Sequence, residues 1–105
     1  MSAISDSMRK EFEKRALYIL LKSNVKELSV EQGLEVIHQQ TDKIIEYEIQ
    51  NEDLAIQFLE LSFRYPILQA NPLGRSIDNI LRETEDEFEK IEVLANLLNQ
   101  ENYVS

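Results

Sequence analysis

Cysteine and tryptophan are absent from these 105 residues, and only two glycines, two prolines and one histidine occur. Without cysteine there is no disulfide framework, no thiolate zinc site and no cysteine nucleophile, a pattern compatible with a reducing compartment. The shortage of glycine and proline argues against a β-sandwich, which needs a turn signal every ~8–12 residues. A lone histidine excludes the His-Glu-x-x-His zinc motif within one chain. It also excludes the doubled Glu-x-x-His of di-iron bundles, although Glu35-Val36-Ile37-His38 carries one copy of that spacing. The longest apolar run, Ala16 to Leu21, is far below the ~20 residues that cross a bilayer. The polar opening MSAISDSMRKEFEKR lacks the apolar core of a signal peptide, so a cytoplasmic location is expected.

Basic residues are also scarce, 11 against 20 acidic, for a net charge of −9. That field repels nucleic acids and anionic membranes, so neither is expected as a partner. It favours a partner with a basic surface, or it serves only to keep the chain in solution. The imbalance is local: residues 1–26 hold six basic and three acidic side chains (+3), and the remainder five and 17 (−12). Either the basic first segment pairs with its own acidic body, or it orients the whole molecule on a partner.

With 43% apolar and 30% charged residues, the chain has the composition of one globular domain spanning 1–105, with 1–5 and 100–105 expected to fray. The periodicity predicts an all-α fold, a compact bundle of about five short amphipathic helices. Met8, Phe12, Ala16, Ile19 and Leu20 share a face of a first helix running from near Ser5–Ser7 to about Ser23, followed by a short connection over Val25–Leu28. Ser29-Val30-Glu31-Gln32 is a capping box opening a second helix that ends near Ile49. Its inward stripe is Val30, Leu34, Ile37, Thr41, Ile44, Ile45 and Glu48, and Gly33 in its first turns suggests a close helix approach. Asn51 caps a third helix carrying Leu54, Phe58, Leu61 and Tyr65, which Pro66 stops. Asn71-Pro72 predicts the start of a fourth helix with Leu73, Ile77, Ile80 and Leu81 inward. Thr84-Glu85-Asp86-Glu87 predicts a second capping box and a fifth helix with Phe88, Ile91, Leu94, Ala95 and Leu98 inward.

No catalytic, cofactor-binding or metal-ligating set emerges. No nucleophile-elbow pattern surrounds any serine. The carboxylate pairs Glu31/Glu35 and Glu85/Glu89 fall on polar helix faces, where nothing would raise a pKa for acid–base work. No phosphate-binding glycine loop, calcium loop or aromatic stacking platform is present. The expectation is a protein that is not an enzyme and needs no cofactor.

Two segments stand out as candidate protein-binding sites. The connector Tyr65 to Leu73 crowds Tyr65, Ile67, Leu68 and Leu73 into an irregular stretch, which either plugs the core or offers an apolar patch to a partner. The run Glu83 to Glu92 holds six acids and one lysine in ten residues, with Glu85, Asp86 and Glu89 as candidate steering charges. Complementing the dipole of a helix start is the plainer account of that run.

Phe12-Glu13-Lys14-Arg15-Ala16 with Tyr18-Ile19-Leu20-Leu21 resembles the opening of a group of short helical bacterial proteins encoded near type VI secretion spike and effector genes. In that group a helix ends in A-x-x-Y-G-I, read here as Ile44-Ile45-Glu46-Tyr47-Glu48-Ile49. Asn51-Glu52-Asp53-Leu54, Phe58-Leu59-Glu60-Leu61, Asn71-Pro72 and Ile80-Leu81 continue the likeness. Glu48 stands where the pattern has glycine, and Tyr65-Pro66-Ile67-Leu68 replaces a glycine-containing turn. The resemblance implies a protein-binding accessory, an adaptor, chaperone or immunity factor whose partner is a secreted effector or spike component. The alternatives are a self-associating structural or regulatory subunit, a homodimer included, and an acidic inhibitor occupying the basic groove of a nuclease.

Overall fold

The computed structural model of the protein describes residues 6–23 and 29–100; the 1–5 and Val25–Leu28 readings lie outside them. Its elements are α1 (Asp6–Ser23), α2 (Val30–Glu46), α3 (Glu52–Arg64), a 3-10 turn (Pro66–Gln69), α4 (Arg75–Glu83) and α5 (Glu87–Gln100). The fold is an all-α bundle, without strands among the described residues. None of these helices is long and apolar enough to cross a membrane.

α3 is the hub. It packs against α1, α2, α5 and the 3-10 turn, and α4 joins through α5. A helix touched from several sides must bury more than one stripe, and α3 buries Leu54, Ala55, Phe58, Leu59, Ser62 and Phe63. Asn51 caps it, its Oδ1 accepting the Leu54 N–H at 3.2 Å. Ile37 and Ile44 of α2 and Ile77, Leu81, Ile91, Leu94 and Leu98 of α4 and α5 complete the centre. The close approach signalled by Gly33 is present: a Cβ there would stand 2.9 Å from Leu17 Cδ1 of α1.

α2 stops three residues earlier than expected, at Glu46, in a Schellman arrangement. The Ile49 N–H reaches the Ile44 carbonyl at 3.0 Å and the Glu48 N–H reaches that of Ile45 at 3.1 Å. Glu48 adopts φ 59°, the left-handed region, and points to solvent rather than continuing the inward stripe. Ile49 and Ile44 are both buried, the apolar contact that accompanies this motif.

The other starts move as well. Asn71-Pro72 does not open α4: that peptide is cis, Leu73 turns into the core from the loop, and the helix begins at Arg75 with Gly74 at the N-cap position. Thr84 is the C-cap of α4, its N–H on the Ile80 carbonyl, and stands too early to cap α5, which begins at Glu87. Asp86 does so instead, accepting the Glu89 N–H on Oδ2 at 3.3 Å and the Lys90 N–H on its carbonyl at 2.9 Å. At the other end α5 stays helical through Gln100, the first residue expected to fray, and 101–105 lie outside the described residues.

Candidate functional site

The connector is a plug, not a patch. Leu68 is fully buried, Tyr65 and Leu73 are buried, and Ile67 is only partly accessible. The backbone explains why. Pro66 starts a 3-10 turn, whose carbonyls then need donors inside the bundle. Gln40 Nε2, itself buried, donates to the Leu68 carbonyl at 2.9 Å and to Ser62 Oγ at 2.8 Å. Lys43 Nζ donates to the carbonyls of Leu68 (2.6 Å) and Ala70 (2.8 Å), and burial lowers its pKa. Gln69 returns a bond to the Ser62 carbonyl at 2.9 Å. Tyr65, Leu68 and Leu73 are therefore spent on the core and are not available as anchors.

Beside this plug lies a cleft of about 470 Å³ between α2 and α4. Tyr47, Asp78, Arg82 and Glu46 form one network on its wall. The Tyr47 hydroxyl donates to Asp78 Oδ1 at 2.6 Å, Arg82 Nε donates to the same oxygen at 2.9 Å, and Arg82 also pairs with Glu46. The Arg82 guanidinium lies 5.0 Å from the Tyr47 ring centroid. Burial, then the Asp78 contact, push the Tyr47 phenol well above its usual range; the Tyr47 hydrogen bond, followed by the Arg82 contacts, holds the Asp78 carboxyl below its own. Both shifts move away from neutrality, opposite to what a general base or acid requires. Lys43 shifts toward it, but its Nζ is tied to two carbonyls as a donor. The network ties α2 to α4.

His38 of the single Glu-x-x-His copy has its Nδ1 3.2 Å from Glu13 of α1, which Arg9 holds at 2.8 Å. Arg9 also donates to the His38 carbonyl at 2.9 Å and pairs with Asp42. No three His, Cys, Asp or Glu groups converge on a metal-sized point among the described residues.

The acidic run divides by face. Glu87 Oε1 accepts the backbone N–H groups of Gln50 (3.0 Å) and Asn51 (2.7 Å), and buried Lys90 donates to the Tyr47 carbonyl at 2.6 Å. These two side chains, i and i+3 on α5, grip the α2–α3 turn. Because they occupy the inner face of the first turn, Phe88 is displaced outward and is 59% exposed, not part of the core. Around it Glu85, Asp86, Glu89 and Glu92 are exposed and form no ion pair among the described residues. Periodicity alone placed Phe88 inward; the polar neighbours at 87 and 90 were the available signal that the helix turns the other way.

The first helix divides similarly. Arg9 pairs with Asp42 of α2, and Arg15 with Glu52 of α3, so its arginines bind the acidic body. Lys10 and Lys14 are exposed without ion pairs among the described residues, on the face that carries Tyr18, 60% exposed, and Leu21, 41% exposed. Lys22 lies 5.0 Å over the Tyr18 ring. The intramolecular reading of the basic segment thus holds for its arginines. Comparison of the chain with protein-family models, with curated proteins and with solved structures gave no match.

Proposed function

We propose that this chain is a non-enzymatic, cytoplasmic protein-binding accessory of a bacterial secreted-effector system, an adaptor, chaperone or immunity factor. The observation that carries the binding reading is Phe88, an exposed aromatic on a helix start beside unpaired Glu85, Glu89 and Glu92. Aromatic side chains that become desolvated supply much of the energy of protein interfaces, and surrounding charges set approach and register. A partner with a basic, apolar-centred surface meets both requirements. The secretion context rests on the sequence resemblance alone.

The test is direct titration of the purified chain against each effector and spike protein encoded beside its gene. Phe88→Ala is expected to weaken the complex at least ~10-fold, equivalent to about 1.4 kcal/mol. Reversal of Glu85 and Glu89 to Lys should slow association and flatten its salt dependence. Asp86 is left unchanged, because it caps α5. Binding that neither change affects, or no binding to any neighbour-encoded protein, overturns the proposal.

A further inference from the structure

We infer that the outer face of α1 docks on the outer face of α5 of a second copy, head to tail. The inference concerns the chain by itself and does not rest on the partner proposed above.

The two faces are complementary in chemistry. On α1, Lys10, Lys14, Tyr18 and Leu21 recur at i, i+4, i+8 and i+11, along one side of the helix, and all are exposed. On α5, Glu89 and Glu92 lie beside Phe88 and Val93, 59% and 39% exposed. Each face therefore combines unpaired charge of one sign with large apolar side chains that the chain's own core leaves uncovered. Lys10 and Lys14 are one helical turn apart, as are Glu89 and Glu92, so helices laid side by side bring the pairs into register on the ~5.4 Å pitch.

The chain cannot join these faces within itself. α3 packs against both α1 and α5, and every ion pair α1 makes with another described helix goes to α2 or α3. A second copy presents, on its own α1 and α5, the surface that each face lacks. Because the two faces are different, the contact is heterologous, and each added copy leaves one face of either kind open.

Net charge gives the contact a signature. Two copies at −9 repel over their whole extent of 35 × 31 × 22 Å. At ~0.01 M salt the screening length is about 30 Å, comparable to the molecule, and this repulsion dominates. At ~0.15 M it falls to about 8 Å, which removes the long-range repulsion but retains attraction between charges in contact. At ~1 M, with about 3 Å, the contact pairs are screened as well. Association should therefore be strongest at intermediate salt, whereas a purely apolar contact would strengthen monotonically.

The experiment is sedimentation velocity on the full chain from ~10 µM to ~1 mM at these three salt concentrations, with two face variants, K10E/K14E and E89K/E92K. The wild type is expected to grow in mass with concentration, most of all at ~0.15 M. Each variant alone should remain monomeric with its helical circular dichroism intact, and an equimolar mixture of the two should recover association. The neutral pairs K10Q/K14Q and E89Q/E92Q provide a second set, each weakening self-association at least ~10-fold. A wild type that stays monomeric throughout, a variant that associates as the wild type does, or a mixture that stays monomeric overturns the inference. An isologous dimer would announce itself by surviving one of the two variants.

Discussion

Glu48 occupies a backbone conformation that an L-residue adopts at a cost of about 1–2 kcal/mol, with φ 59° at the position after the α2 C-cap. Its side chain is exposed, and nothing is gained by a β-carbon there. Glu48→Gly is expected to raise stability by about 0.5–1 kcal/mol, the relief of strain less glycine's greater loss of chain entropy. Urea denaturation at neutral pH measures it, and a less stable variant would contradict the account of the turn. Two phenylalanines provide a contrast at the same scale. Phe58 is fully buried at the centre of α3, so Phe58→Ala should cost about 3–5 kcal/mol. Phe88→Ala, at an exposed position, should change the stability of the dilute monomer by less than ~0.5 kcal/mol. Similar losses at both sites would show that Phe88 belongs to the core after all.

Among the elements, α2 and α4 are bridged by the Tyr47–Asp78–Arg82–Glu46 network, and this contact carries a pH dependence. The Asp78 pKa is depressed in the folded chain, so its stabilisation is present above the ordinary carboxyl value near 3.8 and is lost as pH falls through the lowered value. The Tyr47 pKa is raised, so its stabilisation is complete below the ordinary phenol value near 10 and declines as pH rises beyond it. Tyr47→Phe is expected to flatten the fall in melting temperature between pH 10 and about 11 relative to the wild type. Equal slopes would mean that burial and the Asp78 contact do not raise the phenol pKa in the folded chain.

The helices themselves were legible because a stripe of period 3.6 needs no knowledge of the neighbour. α1 spans the range its stripe marks, and α3 begins after its Asn51 cap and ends before Pro66. What periodicity does not contain is competition for caps. α4 runs on to Glu83 and α5 begins only at Glu87, so Thr84 ends one helix instead of starting the next, and Glu87 accepts from Gln50 and Asn51 instead of completing a capping box. The same limit hid the site. Gln40 and Lys43 read as ordinary polar residues on α2, and their value is set by carbonyls some 25 residues away that a 3-10 turn exposes. Tyr65, Ile67, Leu68 and Leu73 were conspicuous because they plug the bundle; Phe88 was not, since it sat in a stripe that looked buried.

At the scale of the whole molecule, charge is sorted by function. The arginines of α1 and the inward pair Glu87 and Lys90 hold the bundle together, whereas Lys10, Lys14, Glu85, Glu89 and Glu92 form no ion pair among the described residues. Interiors tolerate charges that are paired or hydrogen-bonded, and Lys90, buried against the carbonyl that ends α2, satisfies that rule while complementing the helix dipole. The grip of Glu87 and Lys90 on residues 47–51 has a dynamic corollary. The amides of Gln50 and Asn51 belong to exposed residues of a turn, which would ordinarily exchange their protons with solvent quickly. Held by Glu87, they can exchange only when the first turn of α5 releases them. In deuterium-exchange experiments the α2–α3 turn and the start of α5 should open together, as one cooperative unit formed by segments 36 and 37 residues apart. Glu87→Ala should set the turn exchanging on its own while α3 remains protected.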